Sequence, residues 1–267
     1  MASGGRVTTI GAFYIDCEGV HGWREVAVAC AGATMDVVPA LIGWTLWRTV
    51  KGDPARLVWW HVAVGKGFVA SGYLLFSGVS GVGDFGTGPG GGLVSLPAHG
   101  VIRVVLIAIG GLTYWWLCMA AARALAAMLG QGPETRTTRR SVAHLYYATI
   151  GLASVVVGLF NPVGFFITVM SAAASSFGGN AGLIPIGYMT AATGTPRTFT
   201  VARSWPILVL GVIVILAFGA VLGPSSIPDQ PNRRPGSRND PFHLHGLENS
   251  ENVPISASNK GSLKVTP

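Results

Sequence analysis

The chain has 267 residues, half of them hydrophobic and only 11% charged, with a formal net charge of +7 and a mean hydropathy of +0.51. Soluble domains carry about 25% charged residues, so this composition excludes a water-covered surface, and the long apolar runs place the chain in the membrane class. The basic residues sit in short loops between those runs, a pattern of topology signals rather than of a binding stripe, and no nucleic-acid partner is expected.

Residues 7–15, VTTIGAFYI, are β-branched and aromatic and too short to span; they predict a strand or interfacial hairpin, closed by a turn at Glu18-Gly19. Residues 1–25 are thus an N-terminal interfacial segment without the basic-then-apolar order of a signal peptide. Residues 26–50 form the first span, about twenty apolar residues being enough to match the hydrocarbon thickness. Trp44 and Trp47 precede Arg48 and Lys51, an aromatic belt beside a basic loop. Gly32 and Asp36 lie four apart on one face, where a small residue lets another helix approach. Gly52-Asp53-Pro54 supplies turn chemistry, and the second span covers residues 57–82, with Trp59 and Trp60 at its interfacial end.

The glycine-rich stretch GTGPGGGLVSLP follows. It lacks the G-K-[ST] ending of a phosphate loop and comes after a helix rather than a strand; flexibility or close backbone packing accounts for it. The third span covers residues 100–122 and leads into a polar basic loop, GPETRTTRR, with Ser141 as N-cap of the next helix. Residues 142–192 are read as two helices joined at Asn161-Pro162, the second short, then a short apolar piece at 183–189. Residues 205–222 are the last clear span. The fold class is therefore an all-α polytopic integral membrane protein with about five to six transmembrane helices over residues 26–223. From residue 224 proline, serine, asparagine and mixed charge dominate, which predicts a disordered tail. Its His243 and His245 are read as solvated rather than as metal ligands.

Basic first and third loops alternate with a second that has no lysine or arginine, so the first and third are assigned to the cytoplasm of a plasma (inner) membrane, with the N-terminus outside. The side of the tail depends on the crossings within 142–192 and stays open. Cys17, Cys30 and Cys118 are far apart, with no C-x-x-C spacing and no disulfide framework.

Ionisable groups are costly in hydrocarbon and are functional candidates there. Asp36 and Lys66 pair between adjacent spans; counted from their shared loop their depths differ by about 7 Å, within a snorkelling lysine's reach. Structural and functional readings of that pair stand about even. Asp84 ends the second span, where a turn aspartate is the ordinary reading. His61 beside Trp60 is read as solvated, and His99 and Arg103 as facing headgroups. No H-E-x-x-H, G-x-S-x-G or paired-carboxylate helix occurs, which argues against a complete active site.

In order, however, these features resemble the site-2-protease-like intramembrane zinc metallopeptidases. VTTIGAFYI resembles that family's hairpin, and Ala31-Gly32-Ala33-Thr34-Met35-Asp36 resembles its A-G-P-x-x-N segment, with alanine for proline and aspartate for asparagine. GYLLFSGVSGVGDFG resembles the span that ends in the family's carboxylate zinc ligand, which falls on Asp84. The resemblance covers residues 7–90 and lacks the H-E-x-x-H helix, whose two histidines would complete the zinc site and whose glutamate would activate its water. It implies a truncated or inactive copy, truncation being favoured because Met1 stands just before the hairpin. Zinc is the family's cofactor and is not expected to bind this chain alone. The bilayer is the expected partner, with another membrane helix or membrane protein beside it. Two rival readings are a small-solute transporter, for which no internal repeat speaks, and a non-enzymatic membrane scaffold associating through its glycine faces.

Overall fold

A computed structural model describes residues 6–10, 15–20, 22–88, 91–159, 173–189, 199 and 205–222, all within the unit Met1–Pro228. Asn161, Pro162 and the tail with His243 and His245 lie outside the described residues. Two short strands, β1 (Arg6–Ile10) and β2 (Ile15–Glu18), pair antiparallel in a register that shifts between Val7 and Thr9. The rest is helical: α1 (Trp23–Thr49), α2 (Asp53–Ser80), α3 (His99–Leu129), α4 (Pro133–Gly158), a π-helical turn Ala173–Gly178, α5 (Leu183–Ile186) and α6 (Trp205–Leu222). Helices α1 to α4 are long and apolar enough to cross a bilayer, and the chain is an integral membrane protein. Four of the described helices meet that standard; α6 is apolar but shorter.

Two helices begin earlier than the sequence suggests. Gly52-Asp53-Pro54 is no free-standing turn: Asp53 and Pro54 are the first residues of α2, and Pro133 likewise opens α4. Proline is well placed there because its missing N–H has no intrahelical partner in the first turn and its φ already suits a helix. The stretch GPETRTTRR is therefore mostly the polar first turns of α4, and Ser141 lies inside that helix instead of capping it. Helix α3 runs on past Arg123 to Leu129, through the strong helix formers Ala124-Leu125-Ala126-Ala127-Met128-Leu129.

Helix α2 is the hub. Between apolar helices in lipid, association rests on close packing rather than on expulsion of water, and glycines set the approach. A Cβ on Gly43 of α1 would lie 2.8 Å from Ala63 N of α2, and one on Gly110 of α3 would lie 2.6 Å from Leu75 N. Trp60 and Phe68 of α2 are fully buried among Ala121, Leu125, Met128, Leu183 and Ile186. Trp60 Nε1 donates to Ala121 O (3.3 Å), and Trp47 Nε1 donates to Met128 Sδ (3.1 Å). The chain beyond α4 is pinned to α3 by Tyr114, whose hydroxyl accepts from Gly182 N (2.6 Å) and donates to Gly179 O (3.0 Å).

Two arginines satisfy carbonyls that helix ends leave unpaired. Arg103 stays exposed and also bonds the chain: its Nε donates to Gly78 O (2.9 Å) and its Nη2 to Val79 O at the end of α2. Buried Arg139 donates to Gly130 O just after α3. A cation at a helix C-terminus also meets the negative end of the helix dipole.

Candidate functional site

Asp84 lies beyond α2 rather than at its last turn. The helix ends at Ser80, and Gly81 follows in the left-handed conformation (φ 75°). Gly83 is also left-handed (φ 89°), a conformation that favours glycine, and a Cβ there would meet the Tyr73 hydroxyl at 2.7 Å. The glycine-rich stretch then folds on itself. Gly88 N donates to Gly81 O (2.8 Å), Gly92 N to Gly83 O (3.0 Å) and Leu93 N to Gly86 O (2.9 Å). A Cβ on Gly92 would sit 2.5 Å from Asp84 O, and Cβ atoms on Gly86 and Gly91 would collide with Gly81 O and Gly86 O. Of the two accounts of this loop, close backbone packing is the one observed.

Within that loop Asp84 N donates to the Tyr73 hydroxyl (3.0 Å). Partial burial pushes the Asp84 carboxyl above the ordinary carboxylate pKa, while its hydrogen bond with Tyr73 pulls the other way. The residue still reaches the surface. Across from it stands Gly32 of α1, where a Cβ would lie 3.4 Å from Asp84 Oδ2. The segment around Gly32 and the aspartate, far apart in sequence, thus meet in space.

One turn along α1 from Gly32, Asp36 Oδ1 accepts from Lys66 Nζ at 2.7 Å. The expected difference in depth is absent. Asp36 has thirteen residues of α1 on either side, and Lys66 has thirteen of α2 before it and fourteen after. The pair therefore sits at the middle of both helices, and the early start of α2 at Asp53 removes the offset. Lys66 leaves 48% of its side chain uncovered and Asp36 23%, so the pair lines an open face of the chain.

His61 is not solvated as expected. Its ring lies 4.0 Å from that of Tyr146 and 5.1 Å from that of Trp60, and its Nε2 is buried with no hydrogen-bond partner among the described residues. Tyr146 donates to His61 O at 2.9 Å, which joins α4 to α2. His99 Nε2 lies 3.0 Å from Val94 O. Nothing in the sequence marked Tyr73, whose partner Asp84 is eleven residues on, or Tyr114 and Tyr146, whose partners lie far off in the chain.

Zinc takes three or four protein ligands from His, Cys, Asp and Glu. Among the described residues no three such side chains come together. Asp84 has a glycine and a tyrosine beside it, not a second and third ligand, so the described residues do not fit a zinc ion. No protein-family model, curated protein or solved structure matches this chain.

Proposed function

We propose that this chain is a membrane scaffold of the site-2-protease-like type, which holds the carboxylate position at Asp84 and does not by itself hydrolyse peptide bonds. One observation carries the reading: the two segments that resemble the family's motifs, Ala31 to Asp36 and the stretch ending in Asp84, converge where Gly32 faces Asp84 Oδ2. Helices α1 and α2 pack side by side, and the loop after α2 folds back far enough to set Asp84 opposite Gly32. The orientation belongs to the same proposal. Arg48, Lys51 and Arg56 surround the connection from α1 to α2, and Arg123, Arg136, Arg139 and Arg140 surround that from α3 to α4. The contact of Trp47 with Met128 brings these two connections to one end of the bundle. The positive-inside rule assigns that end to the cytoplasm and the N-terminus to the outside of the plasma membrane.

The test uses the full chain in lipid nanodiscs, with elemental analysis for zinc and a cleavage assay on a membrane-embedded peptide. The expected result is sub-stoichiometric zinc, unchanged in Asp84→Asn, and no cleavage. One zinc per chain that is lost in Asp84→Asn, together with cleavage, would overturn the proposal. The Asp36–Lys66 pair favours a second reading, a small-solute transporter; ion-dependent uptake into vesicles, abolished by Lys66→Ala, would transfer the function to it.

A further inference from the structure

The basic end of the bundle carries more than a topology signal. Trp44 and Trp47 of α1 and Trp116 of α3 gather there, with ring centroids 5.1 Å apart for Trp44–Trp47 and 6.5 Å for Trp44–Trp116. Between these rings and the first turns of α2 opens a pocket of about 450 Å³, lined by the three tryptophans, by Arg48, Arg56 and Arg123, and by alanines of α3. No carboxylate lines it.

Three guanidinium groups around one pocket repel one another unless an anion joins them. The aromatic rings hold two of them in place: Arg48 lies over Trp44 at 5.5 Å and Arg56 over Trp47 at 5.8 Å. Arg56 Nε is committed to Trp47 O (3.3 Å), while Arg48 and Arg123 are exposed. Arginine presents a planar fork of donors that matches phosphate oxygens. Position supplies the rest. Arg48 is the penultimate residue of α1, at headgroup level, and Trp116, 56% exposed, stands on the bilayer side of the arginines. Together with the alanines of α3 it offers acyl chains an apolar surface leading away from a cationic mouth. We propose that this pocket binds the phosphate headgroup of an anionic phospholipid. Basic pockets between transmembrane helices on the cytoplasmic side have the chemistry for such headgroups. The assignment does not depend on the role of Asp84.

The experiment places the full chain in phosphatidylcholine nanodiscs containing either brominated phosphatidylglycerol or brominated phosphatidylcholine, and reads quenching of tryptophan fluorescence. The expected result is quenching at a lower fraction of the anionic lipid than of the neutral one. In Arg48→Gln/Arg123→Gln this preference falls by about fivefold for each arginine removed. Arg136→Gln, which removes a nearby basic residue outside the pocket, keeps it. Arg48→Gln alone, on the exposed rim, carries the same comparison if the double variant unfolds. Equal quenching by the two lipids in the unaltered chain, or an equal loss in Arg136→Gln, overturns the proposal. Displacement of the lipid by inorganic phosphate overturns the lipid source and leaves a site for a free anion.

Discussion

The ion pair between Asp36 and Lys66 allows a double-mutant test in which charge balance, rather than residue size, decides the outcome. Both residues sit at the middle of their helices, thirteen residues or about 20 Å from the connection between α1 and α2. That is too deep for the lysine stem to bring its ammonium to the interface. Lys66→Met leaves a lone carboxylate there, and Asp36→Leu leaves a lone ammonium. On that open face a lone charge at the bilayer centre costs about 2.5–3.5 kcal/mol on insertion scales, whereas replacing both partners with apolar residues is often neutral. The ceiling is set by protonation, because holding an ordinary carboxylate neutral at pH 7 costs about 4 kcal/mol. Each single variant is therefore expected to lose about 3 kcal/mol, and Asp36→Leu/Lys66→Met less than about 1 kcal/mol. Reversible unfolding of the full chain in mixed detergent–lipid micelles measures all three. Single losses under about 0.5 kcal/mol that add in the double variant would show that water or headgroups already solvate the pair, refuting its midplane position.

Two other outcomes follow from the geometry. Gly110→Ala gains about 1 kcal/mol of helix propensity, but its Cβ meets the backbone of α2 at 2.6 Å from Leu75 N and 2.9 Å from Ser71 O. Neither atom can rotate away, so overpacking of about 1–3 kcal/mol wins, and a lower thermal midpoint in nanodiscs is expected; a higher one contradicts the contact. Asp84 holds its proton more tightly in the folded chain than in the unfolded one. Its contribution to stability is therefore lost as pH rises from the ordinary carboxylate range through the raised value, and a stability–pH profile of Asp84→Asn should lack that fall.

Composition and apolar run length made the membrane class and the first three spans legible, and the signs of Asp36 and Lys66 made their pairing legible. The two missed helix starts share one cause. In Gly52-Asp53-Pro54 and Gly132-Pro133-Glu134 the proline, with an acidic residue beside it, marks a helix start, yet both stretches look like turns when only hydropathy is followed. The first misreading alone produced the apparent depth offset within the ion pair. The burial of His61 was not legible, because it depends on Tyr146 of α4 arriving from eighty-five residues away. The partners of Arg103 were hidden in the same way, since the end of α2 supplies the carbonyls it binds.

The backbone of Asp84 is held from several elements of the fold. A turn aspartate at the surface needs a local backbone bend and little else. Here Arg103 binds the last carbonyls of α2, Gly81 and Gly83 take conformations that favour glycine, and Tyr73 hydrogen-bonds the Asp84 backbone. Gly92 lets the returning loop close over Asp84 O, and Gly32 of α1 lies within contact range of Oδ2. These constraints come from α1, α2, α3 and the loop, and they converge on one residue whose carboxyl still reaches the surface. Any side chain at Gly83 would displace the Tyr73 hydroxyl, and any at Gly92 would displace the Asp84 carbonyl. The fold thus holds the backbone of Asp84 from several sides while leaving the residue exposed.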